Sequence, residues 1–526
     1  MLDGTLWFVS DIVLTTFNAR YAHAAFGLRY LMANLQSLQD RAVMLEFEIS
    51  HRPVDALETI LSQQPKIVGI GVYIWNVTVA TQLVAELKRI QPNVVVVLGG
   101  PEVSYETEQQ EICRLADYVV TGEADLAFAS LCESILNGRR PLMKLIAAEL
   151  PHFCQSPSSI GRSDEGLVQL PYDFYTDEDL KQRVVYVEAS RGCPFKCEFC
   201  LSSLDVPVRN VELEEFLSHL DRLLSRGLKQ FKFVDRTFNL NLMISKSILQ
   251  FFLARLQPGL FLHFEMIPDR LPEALRDLIQ KFPPGVLQFE VGIQTFNNEV
   301  ARLISRRQDY SKLAENLRFL RQETGVHVHA DLIIGLPGEN RTSFANGFDQ
   351  LVAMRPQEIQ IGMLKRLRGT PIVRHDAEWG MVYSPHPPYE ILQTKLIDFA
   401  MMQRLRRFSR YWDTIANSGN FVATTLLIWG PDSPFMCFVE LSDWLFERAG
   451  KSHAISLHRL MELLLEFLSD VRGVPIEQAA ATLWQDYQRG GRSDRPGFLS
   501  AYVEPADTRV LRSKNTPARQ ARFLAR

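Results

Sequence analysis

Cys193, Cys197 and Cys200 fall within eight residues, in the run Arg191-Gly192-Cys193-Pro194-Phe195-Lys196-Cys197-Glu198-Phe199-Cys200 that directly follows a short β-branched stretch. Three thiolates on one loop hold three corners of an iron-sulfur cubane and leave one iron without a protein ligand. Such clusters ordinarily take four thiolates, so a three-cysteine set marks a [4Fe-4S] iron open to substrate or cofactor. A structural zinc knot is the competing use, but it wants four closed ligands, and no His or fourth Cys lies near this loop. The remaining four of the seven cysteines, Cys113, Cys132, Cys154 and Cys437, are scattered. A sparse and odd set in a long chain argues against a disulfide framework.

The loop needs elements to position it. At 526 residues the chain exceeds one ordinary core, and a prior of roughly 100 to 200 residues per domain predicts two or three domains. Hydrophobic residues at 46% and charged residues at 22% are globular averages, and no apolar run approaches the ~18 residues of a membrane span. A net charge of -4 gives no global field for nucleic acid. Residues 1–137 alternate β-branched runs (Ile12 to Phe17, Val43 to Ile49, Ile67 to Tyr73, Val94 to Leu98, Tyr118 to Thr121) with amphipathic segments at 24–38, 53–64, 77–90, about 105–114 and 124–137. That is an α/β, doubly wound domain of the Rossmann or flavodoxin kind, whose ligand lies outside the carboxyl ends of the strands. Those ends carry Asn18 to His23, the turn Tyr73-Ile74-Trp75-Asn76, Gly99-Gly100-Pro101-Glu102 and Thr121-Gly122-Glu123.

Residues 138–182, rich in Pro and Gly and acidic near their end, read as a linker. A second βα series over 183–375 has strands at Val184 to Ala189, Gln230 to Val234, Phe261 to Met266, Leu287 to Ile293, Val326 to Gly335 and Glu358 to Met363. Six units suit a partial (β/α)6 barrel with its chemistry at the strand ends. Residues 376–507 read as an α-rich domain, with helical periodicity at 388–410, 434–449, 456–471 and 476–488. The tail 508–526 carries Arg509, Arg512, Lys514, Arg519, Arg522 and Arg526 with no acid after Asp507, either a solvated tail or a nucleic-acid contact.

With these motifs in place, the chain resembles the radical S-adenosylmethionine (SAM) superfamily, whose C-x3-C-x-aromatic-C loop stands here as Cys193, Cys197, Phe199 and Cys200. The resemblance implies a [4Fe-4S] cluster on the three cysteines, an open iron chelating the methionyl end of SAM, and Phe199 beside the adenine. Asp235 looks like a residue of the segment that fixes the methionyl end, and Glu265 like the carboxylate that binds the ribose hydroxyls. Gln294 belongs to a G-x-Q-T signature and Arg306 resembles the following Arg that meets the methionyl carboxylate. Ile333 and Gly335, in the run His329-Ala-Asp331 to Gly338-Glu339, are similar to backbone that lies against adenine. The front domain resembles the cobalamin-binding domain fused to such barrels, which makes Tyr73, Trp75, Gly99, Gly100, Thr121, Gly122 and Glu123 its candidate cobalamin contacts. The family's D-x-H-x-x-G segment is absent: His23 stands near the axial position, but residue 21 is Tyr and Gly27 comes one position late. A base-off site without a His ligand, a domain that has lost cobalamin, and an ordinary surface or capping role for His23 all stay open.

The whole is similar to cobalamin-binding radical SAM proteins with an uncharacterised α-rich C-terminal domain. That resemblance implies an enzyme that cleaves SAM to a 5′-deoxyadenosyl radical and acts on an unactivated carbon of an unknown substrate, with methyl transfer favoured over rearrangement or cyclisation. An electron donor such as a flavodoxin or ferredoxin is implied. Methylthio transfer is disfavoured because the front region offers only Cys113 and Cys132 towards the second cluster it needs. A non-enzymatic iron-sulfur or cobalamin sensor is the rival from another class. Met1 to Phe17 has Asp3 and Asp11 and no Lys or Arg ahead of its apolar stretch, which is unlike a secretory signal and predicts a cytoplasmic protein.

Overall fold

The computed structural model describes residues 9–153, 166–204, 207–504 and 518–524. Asp3, Cys154, Pro157, Gly161, Arg509, Arg512, Lys514 and Arg526 lie outside the described residues. The chain divides into two compact units, Met1–Asp235 with Arg366–Pro371 and Ser384–Tyr389, and Arg236–Lys365 with Ile372–Tyr383 and Glu390–Arg526.

The first unit opens with strands β1 (Ile12–Asn18), β2 (Ala42–Glu48), β3 (Ile67–Gly71), β4 (Val95–Gly99), β5 (Tyr118–Thr121) and β6 (Leu145–Ala147). They form one parallel sheet in the order β2-β1-β3-β4-β5-β6. Both faces are covered, so central β1 is buried at all seven positions, and its polar residues are paired: Thr15 donates to Leu45 O, Thr16 to Gly71 O and Asn18 to the Glu46 carboxylate. One face buries Val13, Phe17, Val68, Val96 and Leu98 with the helices Pro53–Ser62 and Val77–Ile90, and the other packs Ile12, Leu14, Val95 and Val97 on Phe26–Ala33 and Ala127–Leu136. The strand order reverses between β1 and β3, which places the ligand crevice at their carboxyl ends. Strand β6 lies within the segment read as linker, a three-residue edge strand too short to show a period.

The same unit holds β7 (Val185–Val187), a small antiparallel pair β8 (Ser190–Arg191) and β9 (Arg209–Asn210), and β10 (Gln230–Phe233), which pairs parallel with β7. In the second unit β11 (Phe261–Met266), β12 (Leu287–Gln294), β13 (His327–Ile334) and β14 (Glu358–Met363) pair parallel in chain order, each consecutive pair joined through helical segments. All six strands of the second series therefore form where the β-branched runs predict them. Along β12 buried and half-buried residues alternate strictly, so Phe289, Val291 and Ile293 face the helices while Gln288, Glu290, Gly292 and Gln294 share the other face.

The C-terminal region is helical, with Phe399–Ile415, Thr424–Trp429, Pro434–Ala449, Leu457–Glu466 and Ile476–Arg489. The expected helix over 388–410 is corrected: Ile391–Gln393 instead pairs antiparallel with Val382–Tyr383, and the helix begins only at Phe399. Thr394 holds a turn by accepting from the Leu396 and Ile397 amides, and Asp398 caps the new helix by accepting from Met401 N at 2.8 Å. The aromatic residues serve the core: Phe348, Phe408, Trp412, Phe435 and Phe438 meet edge to face at centroid separations of 4.7 to 6.0 Å. Among the described residues no helix is long and apolar enough to cross a membrane.

Candidate functional site

The cysteine loop leaves β8 through Gly192, which sits at φ +96°. Cys193 and Cys197 are buried, Cys200 and Phe199 half-buried, and none is in a disulfide. The Cys200 amide donates to Cys197 O at 3.1 Å, and Ser203 donates its amide and hydroxyl to Cys200 O, closing a tight turn around the second and third thiols. Among the described residues no three His, Cys, Asp or Glu side chains are gathered closely enough to hold a metal ion, this loop included. The donor set still suits an iron-sulfur cluster: three soft thiols on one short loop, with the tip Pro194-Phe195-Lys196 exposed.

Arg191, next to the loop, is its anchor. Its guanidinium meets Glu123 at 2.7 Å, Asp125 at 3.0 Å and Glu188 at 2.7 Å, and lies over the rings of Tyr30 and Phe153. Arg209 binds Glu123 as well. Burial opposes ionisation of Glu123, yet Arg209 and Arg191 hold it below the ordinary carboxylate range. Glu123, expected as a cobalamin contact, is thus engaged by two arginines of its own unit. Spacing could not reveal this, because its partners are 68 and 86 residues away.

Asp235 is buried and accepts from the Ala189 amide (3.1 Å) and the Ser190 hydroxyl (2.6 Å). Burial pushes its carboxyl up to about 7, against the pull of those two donors. It ties the end of β10 to the backbone entering the cysteine loop, a positioning role.

The second unit carries the other candidates. Glu265, at the end of β11, is 22% exposed and takes Arg236 Nη1 at 2.8 Å. At the end of β12 the ladder is irregular between Gly292 and Gln294, and Gln294 adopts φ +73°, a conformation seldom taken by a non-glycine residue. Arg306 donates to Gly292 O and Gln308 to Ile293 O, so two side chains brace the distorted strand end. Ile333 is half-buried, while Gly335, at φ +90°, is covered by Ile391, which a Cβ there would meet at 2.6 Å. Thr295 and Ser343 donate to Glu339 Oε1; burial nevertheless pushes Glu339 up to about 7. Along the less-buried face of these strands lie His263–Glu290 (3.0 Å) and His329–Asp331 (3.6 Å), a polar lining in which His263 and Glu290 belong to no motif named above.

In the front domain Asn76 is fully buried and organises the carboxyl ends of β1 and β3. Its side-chain amide donates to Thr16 Oγ1, Phe17 O and Gly71 O and its oxygen accepts from Tyr73 N. Tyr73 stacks on Trp75 at 4.5 Å, and Trp75 remains 48% exposed. Thr121 is half-buried, and the Gly122 amide donates to Ser104 Oγ at 3.3 Å. Gly100, at φ +105°, needs no ligand to explain it: a Cβ there would strike Val72 O at 2.5 Å, whereas one at Gly99 meets only Val120 O at 3.8 Å. The approach that Gly100 permits is that of its own neighbouring backbone. His23 is committed to Tyr186, its Nδ1 at 2.6 Å from the phenol oxygen. Cys113 and Cys132 are buried, and burial pushes their thiols up to about 11 and about 12, as expected of inert core residues rather than cluster ligands.

Comparison with known proteins matches residues 12–132 to the B12 binding domain, 187–351 to the Radical SAM superfamily and 377–520 to a protein family of unknown function, DUF4080. An uncharacterized methyltransferase of Pyrococcus horikoshii is 27% identical over 341 residues, covering 60% of this chain and 70% of that one. The cobalamin-dependent radical SAM methyltransferase TokK of Streptomyces tokunonensis is 22% identical over 340 residues, 59% of this chain and about half (48%) of its own length. The structure of the radical SAM methyltransferase TsrM from Kitasatospora setae, with cobalamin and a [4Fe-4S] cluster bound, shares the fold at a TM-score of 0.56 and 18% identity, covering 70% of this chain and 78% of that one.

Proposed function

We propose that this chain, a radical SAM enzyme with a B12-binding domain at its front and a DUF4080 domain at its end, methylates an unactivated carbon of its substrate. The observation that carries the reading is the loop of three cysteines directly after β8, in a chain that also has the B12-binding fold. Bound to such a chain, a [4Fe-4S] cluster and SAM supply the 5′-deoxyadenosyl radical that abstracts hydrogen, and cobalamin supplies the methyl group.

In this reading Cys193, Cys197 and Cys200 hold the cluster as thiolates, and Asp235 and Arg191 fix the backbone that leads into their loop. Phe199 excludes water beside them. Glu265 accepts the ribose hydroxyls, Arg306 and Gln294 shape the strand end for the methionyl group, and backbone at Ile333 and Gly335 meets adenine. Cobalamin rests on the Tyr73–Trp75 face and the open side of Gly99, near Thr121 and Gly122, with no histidine on cobalt, since the chain lacks the D-x-H-x-x-G segment. The exposed tip Pro194-Phe195-Lys196 offers a docking point to a one-electron donor such as a flavodoxin or ferredoxin, in a cytoplasm that keeps thiols reduced.

The test is anaerobic reconstitution with iron, sulfide, cobalamin and SAM under dithionite. The expected products are 5′-deoxyadenosine and a methylated acceptor. Protein that retains cobalamin but forms 5′-deoxyadenosine with no methylated product would overturn methyl transfer and leave the radical step standing. The cob(II)alamin EPR spectrum is expected to be base-off and unchanged in His23→Ala; nitrogen superhyperfine splitting that vanishes in the variant would overturn the His-off assignment.

Glu265→Ala removes a charge-assisted acceptor at the strand end. Losing about 1.5 to 3 kcal/mol corresponds to roughly ten- to hundredfold weaker SAM binding with the cluster retained. Unchanged affinity in a folded variant would reduce Glu265 to the partner of Arg236.

A further inference from the structure

The helices Tyr310–Glu323 and Arg341–Met354 of the second unit border a cavity of about 470 Å³ lined by Arg318, Arg321, Gln322, Gln350 and Arg355, among others. Arg321 and Arg355 also line a cavity of about 270 Å³ whose other walls include Ile359, Trp412, Trp429 and Phe523. An i, i+3 spacing puts Arg318 and Arg321 on one helix face. Among the described residues none of the three guanidinium groups has an ion-pair or hydrogen-bond partner, and Arg321 Nε is closed off from solvent without one. The acids of the same helix are engaged elsewhere, Glu315 by Arg276 at 2.8 Å and Glu323 by Gln280 at 3.3 Å.

Two further facts need a cause. Burial and the like charge of Arg355 hold the Arg321 guanidinium below its ordinary value. Arg355 also caps its helix in the left-handed conformation, φ +57°, which glycine adopts freely and an L-residue only at a cost. The carbonyl ends of the two helices attract cations, which accounts for basic residues in this neighbourhood. It does not account for a closed-off Nε or for an arginine kept where glycine is cheaper.

We propose that the paired cavities bind an oxyanion, phosphate or carboxylate, that carries an apolar body. The head lies on Arg321 and Arg355, whose planar forks match such groups, with Arg318 alongside. The body rests against Trp412, Trp429 and Phe523.

Reconstituted full-length protein is titrated with inorganic phosphate, phenyl phosphate and 3-phenylpropionate at constant ionic strength in chloride, following thermal unfolding and tryptophan fluorescence. Phenyl phosphate is expected to raise the melting temperature above the chloride control and to bind about tenfold or more tighter than inorganic phosphate, because its ring is buried. A 3-phenylpropionate affinity equal to or above that of phenyl phosphate assigns the head to carboxylates, and a lower one to phosphates. Arg321→Gln removes a half-buried charge that has no partner among the described residues and Arg355→Gly suits the left-handed cap, so both should fold, melt at or above the wild-type temperature without anion, bind about tenfold or more weakly, and cleave SAM normally. No shift beyond the chloride control, a shift that persists in both variants, or variants that melt well below wild type without anion would overturn the site.

Discussion

Replacing Cys193, Cys197 and Cys200 together by alanine is expected to abolish the visible absorption of the cluster and all formation of 5′-deoxyadenosine. Cys113→Ala and Cys437→Ala should leave both intact. The contrast follows from position: the first three thiols share one loop, whereas Cys113 and Cys437 are isolated and buried, with thiols that burial pushes up, so neither is poised to become a thiolate. Iron analysis of the triple variant decides the matter. Four irons per chain retained there would mean that other ligands hold the cluster.

The second large effect is expected at Arg191. Arg191→Met leaves Glu123, Asp125 and Glu188 gathered at a buried point where, among the described residues, Arg209 is the cation that remains paired with Glu123, and breaking a buried charge network of this kind costs about 3 to 5 kcal/mol. Denaturant unfolding should show the loss. Glu123→Gln placed on top of Arg191→Met should recover part of it, because much of the penalty is the uncompensated carboxylate rather than the missing bond. Since Glu123 is held below its ordinary value, its contribution in the wild type is present above the ordinary carboxylate range near 4.5 and is lost as pH falls through the depressed value. The deficit of the single variant should therefore narrow towards low pH. A variant as stable as wild type at pH 7 would show that the network is solvated rather than buried.

The strands were legible because each is a short β-branched run between turn residues, and buried parallel strands have no second period to confuse them; β11 and β14 match their expected bounds residue for residue. The cysteine loop was legible because its chemistry is local in sequence. What stayed hidden was set by distant partners. Gly100 read as room for a ligand, yet Val72 fills that room. Glu123 read as a cofactor contact, yet two arginines engage it. The stretch 388–410 carried a helical period through residues whose backbone bonds are made instead by Val382–Tyr383, a tertiary pairing that outweighs propensity.

The first unit closes late in biosynthesis. Its buried Glu102 is satisfied by the guanidinium of Arg368 at 2.8 Å and the phenol of Tyr389 at 2.7 Å, and Tyr389 follows it by 287 residues. At a synthesis rate of ~5 to 20 residues per second, the ribosome takes about 15 to 60 s to deliver that partner after Glu102 has been made. For that interval the carboxylate must stay hydrated and the loop after β4 unsealed, so the front domain leaves the ribosome with its β4 rim open and receives its last side chains only after the strands of the second series have been translated.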